Sequence, residues 1–128
     1  MFKIFKCDKG NNPIIKELPS SEGTFNVGDV ATLTNGVITK ATGSTKPQYV
    51  VAEKGTKAVG DVIAVNPNYS DMEFLVPLSA VGTALKVGNK VTIGADSDKV
   101  TATTSSGVAT ILEILGTAVG DEVIVKFE

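Results

Sequence analysis

Four times this chain places valine, glycine and an Asp or Asn directly ahead of a β-branched run: Val27-Gly28-Asp29, Val59-Gly60-Asp61, Val87-Gly88-Asn89 and Val119-Gly120-Asp121. Gly28 and Gly88 stand 60 residues apart, as do Gly60 and Gly120, so a single ungapped shift superimposes both pairs. The same shift sets Leu18 on Leu78, Phe25 on Leu85, residues 31–33 on 91–93, Glu53 on Glu113 and Val65 on Val125. Self-similarity at a fixed period is the mark of one small unit used repeatedly. We therefore read residues 12–71 and 72–128 as tandem copies of one β unit, free to pack as one domain. Residues 1–11 form an N-terminal extension with no match in the repeat.

The repeated tripeptide has a local physical meaning. Glycine takes the positive φ that other residues resist, and a short Asp or Asn side chain bonds back to nearby backbone N–H groups. The expected result is a sharp corner feeding a strand, with the valine packed inward. The corner residues are then Gly28, Asp29, Gly60, Asp61, Gly88, Asn89, Gly120 and Asp121. A convergence of Asp29, Asp61 and Asp121 on a metal is the competing reading. Asn89 speaks against it, since a corner needs only a polar acceptor while a calcium site needs six to eight oxygens.

Between corners the apolar residues alternate with period two, the pattern of half-buried strands. Residues 29–34 and 37–40 flank Asn35-Gly36, the strongest short-range signal for a two-residue hairpin. Further strands are expected at 48–53, 61–65, 72–78, 90–93, 99–103, 108–115 and 122–127. Only 78–85 and 109–115 compete as helices; the first contains Gly82, and the Ile/Leu run of the second reads better as a buried strand. Asp96-Ser97-Asp98 reads as a solvated hairpin tip, 66–71 as an exposed connection carrying Tyr69, and 101–107 as a mobile loop or tip. The fold class is all-β: two tandem small barrel-like or sandwich units with short hairpins and little or no helix.

Composition removes most chemistry. With no His there is no imidazole base and no Ser-His-Asp or Cys-His machinery. Cys7 is the single cysteine and reads as an ordinary reduced thiol. Glu53 and Glu113 match through the duplication, and a glycosidase pair would call for aromatic platforms that a chain without Trp does not offer. The sequence thus implies no enzyme, no cofactor and no metal. A net charge of −2 argues against nucleic acid as a partner, and no 18-residue apolar run argues for a membrane. The lysine-interrupted N-terminus lacks the features of a signal peptide, which suggests synthesis in a cytoplasm.

The order of these motifs carries a resemblance. Residues 26–40, 49–65 and 107–125 read as Gly-Asp corner, Val/Thr strand, Asn-Gly turn, Val-Ile-Thr-Lys, Gly-containing loop, Tyr-Val-Val-Ala-Glu and a second Gly-Asp corner. That series resembles the capsid decoration (cement) and head-fibre proteins of tailed bacteriophages and prophages. The resemblance implies a non-enzymatic virion structural protein, made in the host cytoplasm, that binds the major capsid protein lattice, with a dimer or trimer as its possible homo-oligomer. The competing class is a β-rich ligand-binding or adhesion module of a bacterial surface complex. Candidate partner contacts are Phe2, Ile4, Phe5 and Tyr69. Two placements stay open for residues 2–6: an edge strand added to a neighbour, or a strand of the chain's own barrel.

Overall fold

The computed structural model describes residues 1–7, 15–69 and 72–127. Among these residues twelve strands follow one another: β1 (Lys3–Cys7), β2 (Lys16–Pro19), β3 (Gly23–Phe25), β4 (Val30–Thr34), β5 (Val37–Lys40), β6 (Tyr49–Val51), β7 (Gly55–Lys57), β8 (Val62–Pro67), β9 (Met72–Pro77), β10 (Lys90–Val91), β11 (Ala109–Ile114) and β12 (Glu122–Phe127). There is no helix among the described residues, and residues 78–85 form turns around an isolated bridge at Leu78.

Two five-stranded antiparallel sheets result, in the orders β2-β8-β6-β4-β5 and β1-β9-β12-β11-β10. Their registers repeat. Tyr49 faces Pro67 and Val51 faces Val65 in the first sheet; Ala109 faces Phe127 and Ile111 faces Val125 in the second. Val30 opposite Val50 recurs as Lys90 opposite Thr110. All three pairs of the first unit map onto the three of the second by the 60-residue shift. Each sheet also curls back on itself, through a parallel bridge of Ser20 with Ile38 in one and of Leu78 with Val100 in the other. Such closure hides the sheet edges that would otherwise recruit other strands. β3 and β7 form a separate two-stranded ribbon in the first unit.

The match Leu18 to Leu78 does not hold in space. Ser20 N–H donates to the Asp61 carbonyl and Ser20 O accepts from Gly60; Leu78 makes the same two bonds with Asp121 and Gly120. The counterpart of Leu78 is therefore Ser20. Compensating loop changes hide this from the sequence. The Asn35-Gly36 hairpin joins Leu33 to Ile38, whereas the second unit needs two more residues to join Ile93 to Val100.

The units share their interior. Phe25, Ala31, Ile38, Val51, Ile63 and Val65 fill the first barrel. Val30, Ala41 and Val50 point the other way and join Phe74, Leu78, Val91, Ile111, Val125 and Phe127 in the larger cluster of the second. Two mutual backbone bonds between Gly43 and Ile93, and one from Val30 N–H to Ser97 O, each 2.9 Å, lock the contact. Ser97 is thus buried against the first unit and is not the solvated tip its polar neighbours suggest. The 101–107 connection is tied to β10 by bonds between Thr92 and both Thr101 and Thr103.

The N-terminal extension settles one open placement. β1 pairs antiparallel with β9, Lys3 opposite Leu75 and Cys7 opposite Met72, with a bulge at Phe5. Phe2, just ahead of β1, turns inward, where its ring meets Phe74 and Phe127 at centroid distances of 6.2 and 5.5 Å. β1 is a strand of the chain's own sheet. Three further strands, β2, β3 and β7, are not marked by alternation because each is only three or four residues long. The strand expected at 99–103 reduces to a bridge at Val100.

Candidate partner-binding surfaces

The four corners are four copies of one turn. Gly28, Gly60, Gly88 and Gly120 have φ of 87°, 89°, 94° and 89°. In each, the backbone N–H of the Asx residue donates to the carbonyl three residues earlier: Asp29 to Asn26, Asp61 to Ala58, Asn89 to Lys86 and Asp121 to Ala118. The Asx side chain then accepts from the N–H of that same residue, at 2.8–3.0 Å. This is a type II turn, whose third position requires positive φ, locked by an Asx bond. Each of these carboxylates is turned toward its own backbone, and among the described residues no three acidic or cysteine side chains gather as a metal group.

The valines depart from expectation. They hold the second turn position, which projects outward, and are 45–71% exposed instead of packed inward. The corners therefore double as apolar tips. The side-chain alternation that governs strands simply does not extend into a turn.

Asp29 differs from its three relatives. It is 1% exposed, and its Oδ2 receives Lys40 Nζ at 3.2 Å besides the Asn26 N–H. Lys40 Nζ also lies 5.8 Å from the centre of the Phe25 ring. A buried carboxylate needs such a charged partner, so this corner is a cross-brace between β4 and β5 as well as a turn.

Glu53 and Glu113 are equivalent in sequence but not in role. Glu53 Oε1 accepts from Ala64 N–H at 2.9 Å and from Lys57 Nζ at 3.4 Å. The Ala64 bond, aided by Lys57, holds its carboxyl below the usual 4.5. Its side chain continues a ladder whose last backbone bond runs from Ala52 N–H to the Ala64 carbonyl at 2.8 Å. In the second unit a bulge past Ile111 lets the backbone itself resume pairing, with Glu113 opposite Ile124.

Of the four candidate contacts, Phe2 is withdrawn into the core at 1% exposure. Ile4 and Phe5 stay exposed, Phe5 at 54% on the bulge between Ile4 and Lys6. Tyr69 is half-buried against the larger cluster. Beside β1 runs a groove of about 350 Å³ with Met1, Ile4, Ile15 and Val27 on its walls and Val50 and Val51 at its base. Ile15 and Val27 are contributions that the sequence reading missed; the exposed turn position of Val27 is the signal that would have found it. A second, more open hollow of about 580 Å³ is lined by Thr32, Thr34, Thr45, Lys46 and Gln48.

Fold and surface together define an all-β protein of antiparallel sheets packed over a shared core, with apolar tips at its turns. The same architecture occurs in the solved structure of the head fiber gp8.5 N base in bacteriophage phi29. The TM-score is 0.61 with 20% identity, over 90% of this chain and 95% of that one. At this identity the likeness is one of fold. No protein-family model matches the chain, and no curated protein matches it.

Proposed function

We propose that this protein is a non-enzymatic structural component of a phage head, carried on the capsid surface by binding to the major capsid protein lattice. The carrying observation is the fold likeness to a phage head fibre base over nearly the full length of both chains. The body suits the role: two closed units welded through one core resist local opening, since few strand edges are left to fray. The exposed Ile4 and Phe5 on β1, next to the apolar groove, supply a contact surface of the kind such attachment needs. The protein would be made in the host cytoplasm and reside on the virion.

Mixing the purified protein with assembled capsids and, separately, with unassembled coat subunits tests this reading. Saturable binding to capsids with little binding to free subunits is the expected result. Equal indifference to both would overturn it.

A further inference from the structure

One end of the second unit has a charge arrangement that the first unit lacks. The corner at 86–90 reads Lys-Val-Gly-Asn-Lys and carries two positive charges; the corner at 118–122 reads Ala-Val-Gly-Asp-Glu and carries two negative ones. In the first unit the corresponding corners, 26–30 and 58–62, each hold a single Asp and no lysine. Neither Lys86 nor Lys90 forms an ion pair among the described residues.

The registers place both corners at the same end of the sheet. Gly88 N–H donates to Ile111 O and Asn89 O accepts from Ile111 N–H, so the basic turn opens beside the second half of β11. The acidic turn feeds β12, whose Glu122 carbonyl accepts from Leu115 just past the end of β11. Gly82 N–H bonded to Thr117 O brings Val81 to the same end. Val81, Val87, Leu115 and Val119, each 57–65% exposed, are four large apolar side chains displayed there. β11 stands between β10 and β12, so the strands bearing the two corners are about 10 Å apart at sheet spacing. No ion pair links the two corners among the described residues.

We propose that this end is a self-association surface whose occupant is the same end of a second copy. A basic tip and an acidic tip side by side form a self-complementary pattern. A two-fold axis between them sets Lys86 and Lys90 of each copy against Asp121 and Glu122 of the other, with the exposed valines and Leu115 filling the centre. Isologous contacts of this kind, i to j and j to i, are the commonest route to a homodimer. The inference is independent of which surface meets a capsid.

Light scattering coupled to size exclusion, on the full chain, tests it. The wild-type chain is expected to be a dimer that dissociates more readily in 1 M salt, where the Debye length falls to about 3 Å. One variant combines Lys86→Glu with Lys90→Glu; a second combines Asp121→Asn, which keeps the turn bond as Asn89 does, with Glu122→Lys. Each alone should dissociate at least about tenfold more readily, because like charges now meet. Mixed in equal amounts they should recover the dimer, since the mixed pair restores attraction at both contacts. Unfolding curves identify any variant that fails to fold, in which case Val87→Asp replaces it with the same expected loss. A wild-type monomer, a trimer, or no recovery on mixing would overturn the proposal.

Discussion

Phe2 and Gly28 are joined by a backbone bond, the Phe2 N–H donating to the Gly28 carbonyl at 2.9 Å. The bond ties the start of β1, a strand of the second sheet, to a corner of the first unit. The N-terminal segment is therefore a clasp across both units, and its aromatic ring is part of the triad with Phe74 and Phe127. Truncating Phe2 to Ala should cost about 3–5 kcal/mol, the range for a buried aromatic. Phe5→Ala, on the exposed bulge of the same strand, should stay within about 0.5 kcal/mol. Urea unfolding of the two variants makes the comparison.

The four turn glycines are not equally replaceable. A Cβ on Gly60 meets nothing within 4 Å, so Gly60→Ala bears only the left-handed backbone penalty of about 1–2 kcal/mol. A Cβ on Gly28 would lie 2.6 Å from Met1 Cβ and 3.1 Å from Phe2 O. Gly28→Ala should therefore be the more damaging substitution, since it must also displace the clasp. Thermal unfolding of the two variants would show the order, and equal losses would contradict it.

Asp-to-Asn changes at the corners should likewise separate. Asp121→Asn preserves the acceptor for Ala118 N–H, as Asn89 does at its own corner, and should leave stability within about 0.5 kcal/mol. Asp29→Asn keeps the Asn26 bond but strands Lys40, and should cost about 1.5–3 kcal/mol, the range for a hydrogen bond to a charged group. Chemical denaturation at neutral pH is the measurement.

Acid should act on Glu53 in a defined direction. Its folded carboxyl titrates below the usual 4.5, because the ionised form accepts from Ala64 N–H and Lys57. In the range between the two titrations the unfolded chain binds more protons at this site than the folded one, so stability rises with pH there. The contribution is fully present above 4.5 and fades as the pH falls through the depressed folded value. Glu53→Gln should flatten that part of the acid limb; melting temperatures of the variant and wild type across pH 3–6 would check it.

The four corners were legible because Gly at a type II turn and a short acceptor after it are near-obligatory residues, and they recur at fixed spacing. The β6–β8 and β11–β12 registers follow that spacing without error. What escaped was of another kind. The Ser20–Leu78 equivalence is masked by loop changes that cancel within each unit, and a shift anchored on glycines is blind to them. The outward valines escaped because side-chain alternation is a property of strands and stops at a turn. Ser97 was misread because a tip between two aspartates looks solvated until a second unit is placed against it. Tertiary packing of one copy on the other is the information a local pattern does not hold.

Particle composition tests the proposed place of this chain on the outside of a phage head most directly. Gradient-purified virions should contain the protein in a fixed ratio to the major capsid protein, and it should be accessible to antibody on intact particles. Virions that lack it, or hold it only inside where antibody cannot reach, would contradict the account.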